Sequence, residues 1–157
     1  MRRERHSFFG CRLVIILSSL LLIHPVFSVV AELPPDLTGY YYFVGKAPRG
    51  FEDVDWFSLA TVETKGREAK LNGFVRLDRR FRGRLVNFDL VNPTLDDHTL
   101  TFSTKVVRGI RYQFRGQFLK LENLQDNETV LKGHLTKFRN GRTAAECDAS
   151  FFYFTGD

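Results

Sequence analysis

Cysteine is nearly missing from this chain: of two in 157 residues, Cys11 lies near the start and Cys147 near the end. That excludes a small disulfide-stapled scaffold, which needs several cysteines in pairs. Cys147 alternates with Ala145 and Ala149, the pattern of a small apolar residue on a packed face rather than of a reactive thiol. Helical periodicity is missing too. From Leu37 onward no useful length of chain repeats its apolar residues every three or four positions, which argues against helix bundles and α/β folds. Catalytic motifs are equally scarce. No G-x-S-x-G elbow surrounds Ser58, Ser103 or Ser150, and there is no glycine loop of the kind that cradles phosphate. His98 beside Asp96 and Asp97, the separate His134, and the run Glu52-Asp53-Val54-Asp55 offer too few ligands at defined spacing for a metal centre. The residues point away from an enzyme, and no catalytic residue, metal or cofactor is assigned.

Excess charge is small once the first segment is set aside. The formal net charge is +5. Residues 32–157 hold 19 of the 23 Lys+Arg and 17 of the 18 Asp+Glu, a net of only +2. That is too weak a bias for a dedicated nucleic-acid binder. The first segment has a basic start with Arg2, Arg3, Arg5 and Arg12, an apolar run LVIILSSLLLI over 13–23, and then His24, Pro25 and small residues. This is the order of a cleavable signal peptide, with processing expected after Ala31 or Ser28 and a secreted or periplasmic product. The run falls short of the ~20 apolar residues that a spanning helix needs, so a membrane is a partner only if residues 1–31 stay attached. Residues 32–157 are long enough for one domain with a single core. Asn127-Glu128-Thr129 is a glycosylation sequon on an expected loop.

What the remainder does have is alternation with period two, the strand signature. Strands are expected at GYYYFVGK (39–46), WFSLATVETK (56–65), AKLNGFVRL (69–77), RLVNFDLVN (84–92), HTLTFSTKVV (98–107), IRYQFRGQFLKL (110–121), TVLKGHLTKFR (129–139) and TAAECDASFFYF (143–154). Lys65-Gly66 and Asn140-Gly141 read as tight hairpin turns, and Asn92-Pro93 and Gln125-Asp126-Asn127 as longer loops. The longest break is Gly45 to Asp55. Short links make successive strands antiparallel neighbours. With no helix to cover an apolar face, the sheet must close on itself. The fold class is therefore all-β, an antiparallel up-and-down β-barrel of about eight strands.

Parity assigns the inward face. It includes Leu71, Gly73 and Val75; Phe88 and Leu90; Leu100, Phe102, Thr104 and Val106; Tyr112, Phe114, Gly116 and Phe118; Leu131, Gly133 and Leu135; and Ala145 through Tyr153 at odd positions. The row Arg111, Gln113, Arg115 and Gln117 is then a solvated face. It lacks the interleaved aromatics that a nucleic-acid platform would use. Gly73, Gly116 and Gly133 each sit mid-strand on the inward parity. Glycine weakens a strand there unless the strand bends or a large side chain opposite needs the room. A barrel of about eight strands is either just filled by its side chains or just able to hold one small ligand. The aromatics favour filling; the glycines and alanines favour space.

Leu37-Thr38-Gly39-Tyr40-Tyr41 stands where lipocalins open with Gly-x-Trp, with Tyr41 in the place of Trp. With the hairpin-linked meander, the chain resembles the calycin superfamily of lipocalin-like barrels over about 120 residues. That resemblance implies a small apolar ligand in the interior, and the expected lining is Tyr42, Phe57, Phe88, Phe102, Tyr112, Phe114 and Tyr153. Two other readings stand beside it. Phe74, Phe138, Phe152 and Phe154 fall on the outward parity, which suits a protein-interaction or structural module with a packed barrel, or a homo-oligomer. Alternation does not itself say which face is inside, so a small outer-membrane barrel is the third.

Overall fold

The computed structural model describes residues 36–64, 67–78 and 85–156; the expected signal peptide 1–31 and the Lys65-Gly66 turn lie outside the described residues. The described chain is all-β. Eight strands follow one another: β1 (Gly39–Phe43), β2 (Val54–Thr64), β3 (Arg67–Leu77), β4 (Asn87–Asp96), β5 (Thr99–Thr104), β6 (Ile110–Phe118), β7 (Thr129–Arg139) and β8 (Arg142–Phe154). Each pairs antiparallel with the next, and β8 returns to pair with β1, so the sheet is a closed up-and-down barrel with no free edge strand.

The inward parity holds over most of the wall. Phe88, Leu100, Phe102, Phe114, Phe118, Leu131 and Phe151 are each less than 5% exposed, whereas Gln113, Arg115 and Gln117 between them are exposed. This polarity is the reverse of a lipid-facing barrel, whose apolar side chains point out, and it overturns the outer-membrane reading. The interior is filled by rings. Phe57 has its centroid 4.9 Å from Tyr41, 5.1 Å from Phe151, 5.4 Å from Phe102 and 6.0 Å from Phe114.

Two of the inward glycines make this packing possible. Gly116 on β6 lies opposite Gly133 on β7. A Cβ on Gly133 would come within 2.4 Å of the Gly116 Cα and 2.6 Å of Phe114 Cζ. The Phe114 ring lies against the bare backbone of both strands. Gly73 serves a different contact: its Cβ would lie 2.0 Å from the Ser58 carbonyl oxygen of the neighbouring strand.

Several expectations are corrected. Tyr42 is not in the interior. It pairs across β1 with Trp56 and Phe152 on the outer face, stacked 5.4 Å from Phe152, while Tyr41 and Phe43 point inward. In the run Tyr40-Tyr41-Tyr42-Phe43 both faces are aromatic, so alternation carries no phase. Asn92-Pro93 is not a loop but a bulge within β4: the pairing shifts by one residue between Val91 and Thr94, and Asn92 takes φ 46°. The strand then runs on to a turn at Asp97-His98. Val106 is not inward but 65% exposed, because β5 ends at Thr104 and the Thr104 hydroxyl accepts the Tyr112 N–H where the ladder would have continued.

On the outside, β8, β1, β2 and β3 carry a half-buried aromatic strip. Tyr42 touches Phe152 and Phe154, Trp56 lies 4.6 Å from Tyr40 and 5.4 Å from Phe74, and the Arg76 guanidinium stands 5.1 Å over the Trp56 ring.

Candidate ligand cleft at one mouth of the barrel

The connection 44–53 between β1 and β2 folds across one mouth of the barrel. Phe51 anchors it: its side chain is fully buried, with its ring 6.5 Å from Tyr112. The turn around it is held by hydrogen bonds from Phe51 N–H to the Pro48 carbonyl and from Val54 N–H to the Phe51 carbonyl. A charged latch completes the closure. Position 137 falls on the inward parity of β7 opposite Tyr112, and its occupant is a lysine, only 8% exposed. Lys137 Nζ donates to both Asp53 carboxylate oxygens at 2.8 Å and to the Gly50 carbonyl at 3.1 Å. The Tyr112 hydroxyl adds a longer bond of 3.4 Å to Asp53 Oδ2. Burial, then the negative charge of Asp53 and this hydrogen bond, push the Tyr112 phenol well above its ordinary range, with Arg139 opposing.

Beside the closure lies a partly open cleft of about 240 Å³. Its apolar wall is Leu77, Val86, Phe88, Val107 and Ile110, and its polar rim is Arg108, Arg139 and Asn140. The rim is built by two neighbouring hairpin tips. Arg108 and Gly109 have φ 52° and 76°, and Asn140 and Gly141 have φ 51° and 79°. Two successive left-handed residues are what a tight hairpin needs to match strand twist. Asn140 N–H donates to the Gly109 carbonyl at 2.7 Å, which ties the tips together. Both arginines are exposed, and neither forms an ion pair with a described residue. Among the described residues no group of three or more His, Cys, Asp or Glu side chains converges to hold a metal.

Six of the seven expected lining residues do face the interior. Phe57, Phe102 and Phe114 meet at its middle, while Phe88 and Tyr112 sit together below the closed mouth with centroids 5.1 Å apart. Tyr153 lies toward the other end, its hydroxyl donating to the Thr38 carbonyl at 2.7 Å. Only Phe88 also lines the cleft. The polar residues of this mouth were not anticipated. Lys137 was findable, since it continues the inward series Leu131, Gly133, Leu135; Asp53, Arg108 and Arg139 carry no signal until the connections are placed.

A closed eight-strand antiparallel barrel with a packed aromatic core and a cleft at one mouth is compatible with a calycin-like architecture. Comparison of the chain with protein-family models, with curated proteins and with solved structures finds no match in any of the three.

Proposed function

We propose that this protein is an exported, non-catalytic binding barrel that takes a small amphiphile with an anionic head. The ligand sits in the mouth cleft rather than in the middle of the barrel. The observation that carries the reading is the cleft itself: an apolar wall that includes Phe88, beneath two exposed guanidiniums on Arg108 and Arg139. The packed interior argues for moving the ligand outward, since rings already occupy the central space. At about 30 Å³ per water-sized group, the cleft holds about eight such groups. That is below the usual 300–1,000 Å³ of ligand pockets and favours a short chain. Octanoate and octan-1-ol, titrated by calorimetry, test the reading: octanoate binds and octanol binds more weakly. Absence of heat with both, together with no bound mass on freshly secreted protein by native mass spectrometry, rules the reading out.

The outer aromatic strip supports a second reading, an interaction module that buries Tyr42, Trp56, Phe74 and Phe152 against a second copy. Light scattering at micromolar concentration tests it, and a strictly monomeric mass rejects it.

A further inference from the structure

The charges of the barrel are sorted by end. At the cleft end, the described connections and the strand residues bordering them carry Lys46, Arg49, Lys105, Arg108, Arg139 and Arg142, against Glu52, Asp53 and Asp78. Asp53 is already paired with Lys137, and Lys105 with Asp89. Among the described side chains bordering the opposite end stand Asp36, Asp96, Asp97, Glu122, Asp126 and Glu128, against Lys120. A small net charge thus conceals an axial separation of charge, which turns the molecule in the field of a charged partner.

Apolar side chains are exposed at the same end. Val44 is 49% exposed, Leu85 48% and Val106 65%, and they come from three separate connections there, whereas the other two exposed large apolar side chains among the described residues, Val62 at 45% and Leu119 at 53%, lie toward the acidic end. A partner for this surface must be anionic on its face and apolar just beneath. We infer that the cleft end of the barrel docks on an anionic lipid surface, its basic side chains among the headgroups and Val44, Leu85 and Val106 dipping below them. In that orientation the cleft opens onto the lipid layer, which becomes the source of its amphiphile. The inference rests on the proposed cleft for its ligand, but docking is measured without it.

The test is flotation with vesicles of phosphatidylcholine alone or of phosphatidylcholine and phosphatidylglycerol in equal parts. The expected result is binding to the anionic vesicles, about tenfold weaker on neutral ones and weakened by salt. Lys46→Glu/Arg49→Glu/Arg142→Glu removes it, and Leu85→Asp/Val106→Asp weakens it about tenfold. All five positions are exposed and outside the cleft lining, so a retained melting temperature shows that the fold is intact. Glu122→Lys at the opposite end leaves binding unchanged. Equal binding to both vesicle types, no binding, or indifference to the triple reversal overturns the inference. Octanoate titration without vesicles reads the cleft separately: octanoate bound with vesicles ignored sinks docking alone, and vesicles bound with octanoate ignored sinks the cleft alone.

Discussion

Lys137 and Asp53, 84 residues apart in the chain, meet at 2.8 Å under the closed mouth, with side chains only 10% and 20% exposed. The pair fastens the β1–β2 connection to β7 and shares Asp53 with Tyr112. Breaking a buried pair by removing one partner costs about 3 kcal/mol, because the remaining charge has lost its counterpart. Asp53→Ala is expected to lose that much in urea unfolding. Asp53→Ala with Lys137→Met is expected to lose less than the two single changes together. Strict additivity would mean that the two groups act independently.

Gly116→Ala and Gly133→Ala are each expected to cost about 3 kcal/mol, the upper range for forcing volume into a packed core. In both cases the new carbon meets backbone as well as the Phe114 ring: the Lys132 carbonyl oxygen at 2.5 Å for Gly116, and the Gly116 Cα at 2.4 Å for Gly133. Phe114→Leu therefore rescues only part of the loss. Gly45→Ala is the control. Nothing lies within 4 Å of its Cβ, but its φ of 79° is unfavourable, so a loss of about 1 kcal/mol is expected. Equal losses at all three sites would refute the packing argument.

Asp55 carries a pH signature. Partial burial, then the Asp78 carboxylate, push its pKa up, with Arg76 pulling it back. A group whose pKa is raised on folding contributes stability that is complete below its unfolded value and lost as pH rises through its folded value. At neutral pH the ionised Asp55 is thus a liability. Asp55→Asn should raise the melting temperature at pH 7, and the gain should shrink as pH falls toward the ordinary carboxylate range. A gain that grows with acid would have the wrong sign.

Cys147 lies on the inner side of β8, half-buried against the core, and its thiol is pushed up by burial and then by the charge of Asp148. Less thiolate and less access together slow its alkylation. Iodoacetamide at pH 8, followed by intact mass, should label it about tenfold more slowly than free glutathione. Labelling at the free-thiol rate would place the side chain in water.

The barrel was legible where one face is polar and the other apolar. In β6, Tyr112, Phe114, Gly116 and Phe118 alternate with Gln and Arg, and the pleat allows one orientation only. It was illegible where both faces are aromatic, as at Tyr40 through Phe43, and where a bulge resets the count, as at Asn92-Pro93. The glycines told of a close approach, but not that two of them face each other across β6 and β7 to receive Phe114. The cleft was the least legible part. Its rim comes from turns brought together by the closed sheet, and local sequence does not encode which tips become neighbours.

The seam between β1 and β8 has a kinetic side. Seven of the eight pairings join strands that are consecutive in sequence, whereas this one brings Tyr40 to Phe154. Its loop closure is the most costly in chain entropy, so the tube is expected to zip from hairpin to hairpin and to shut there last. Until it does, the nascent molecule presents two unpaired strands rich in Tyr and Phe, and that interval is when neighbouring chains can capture one another.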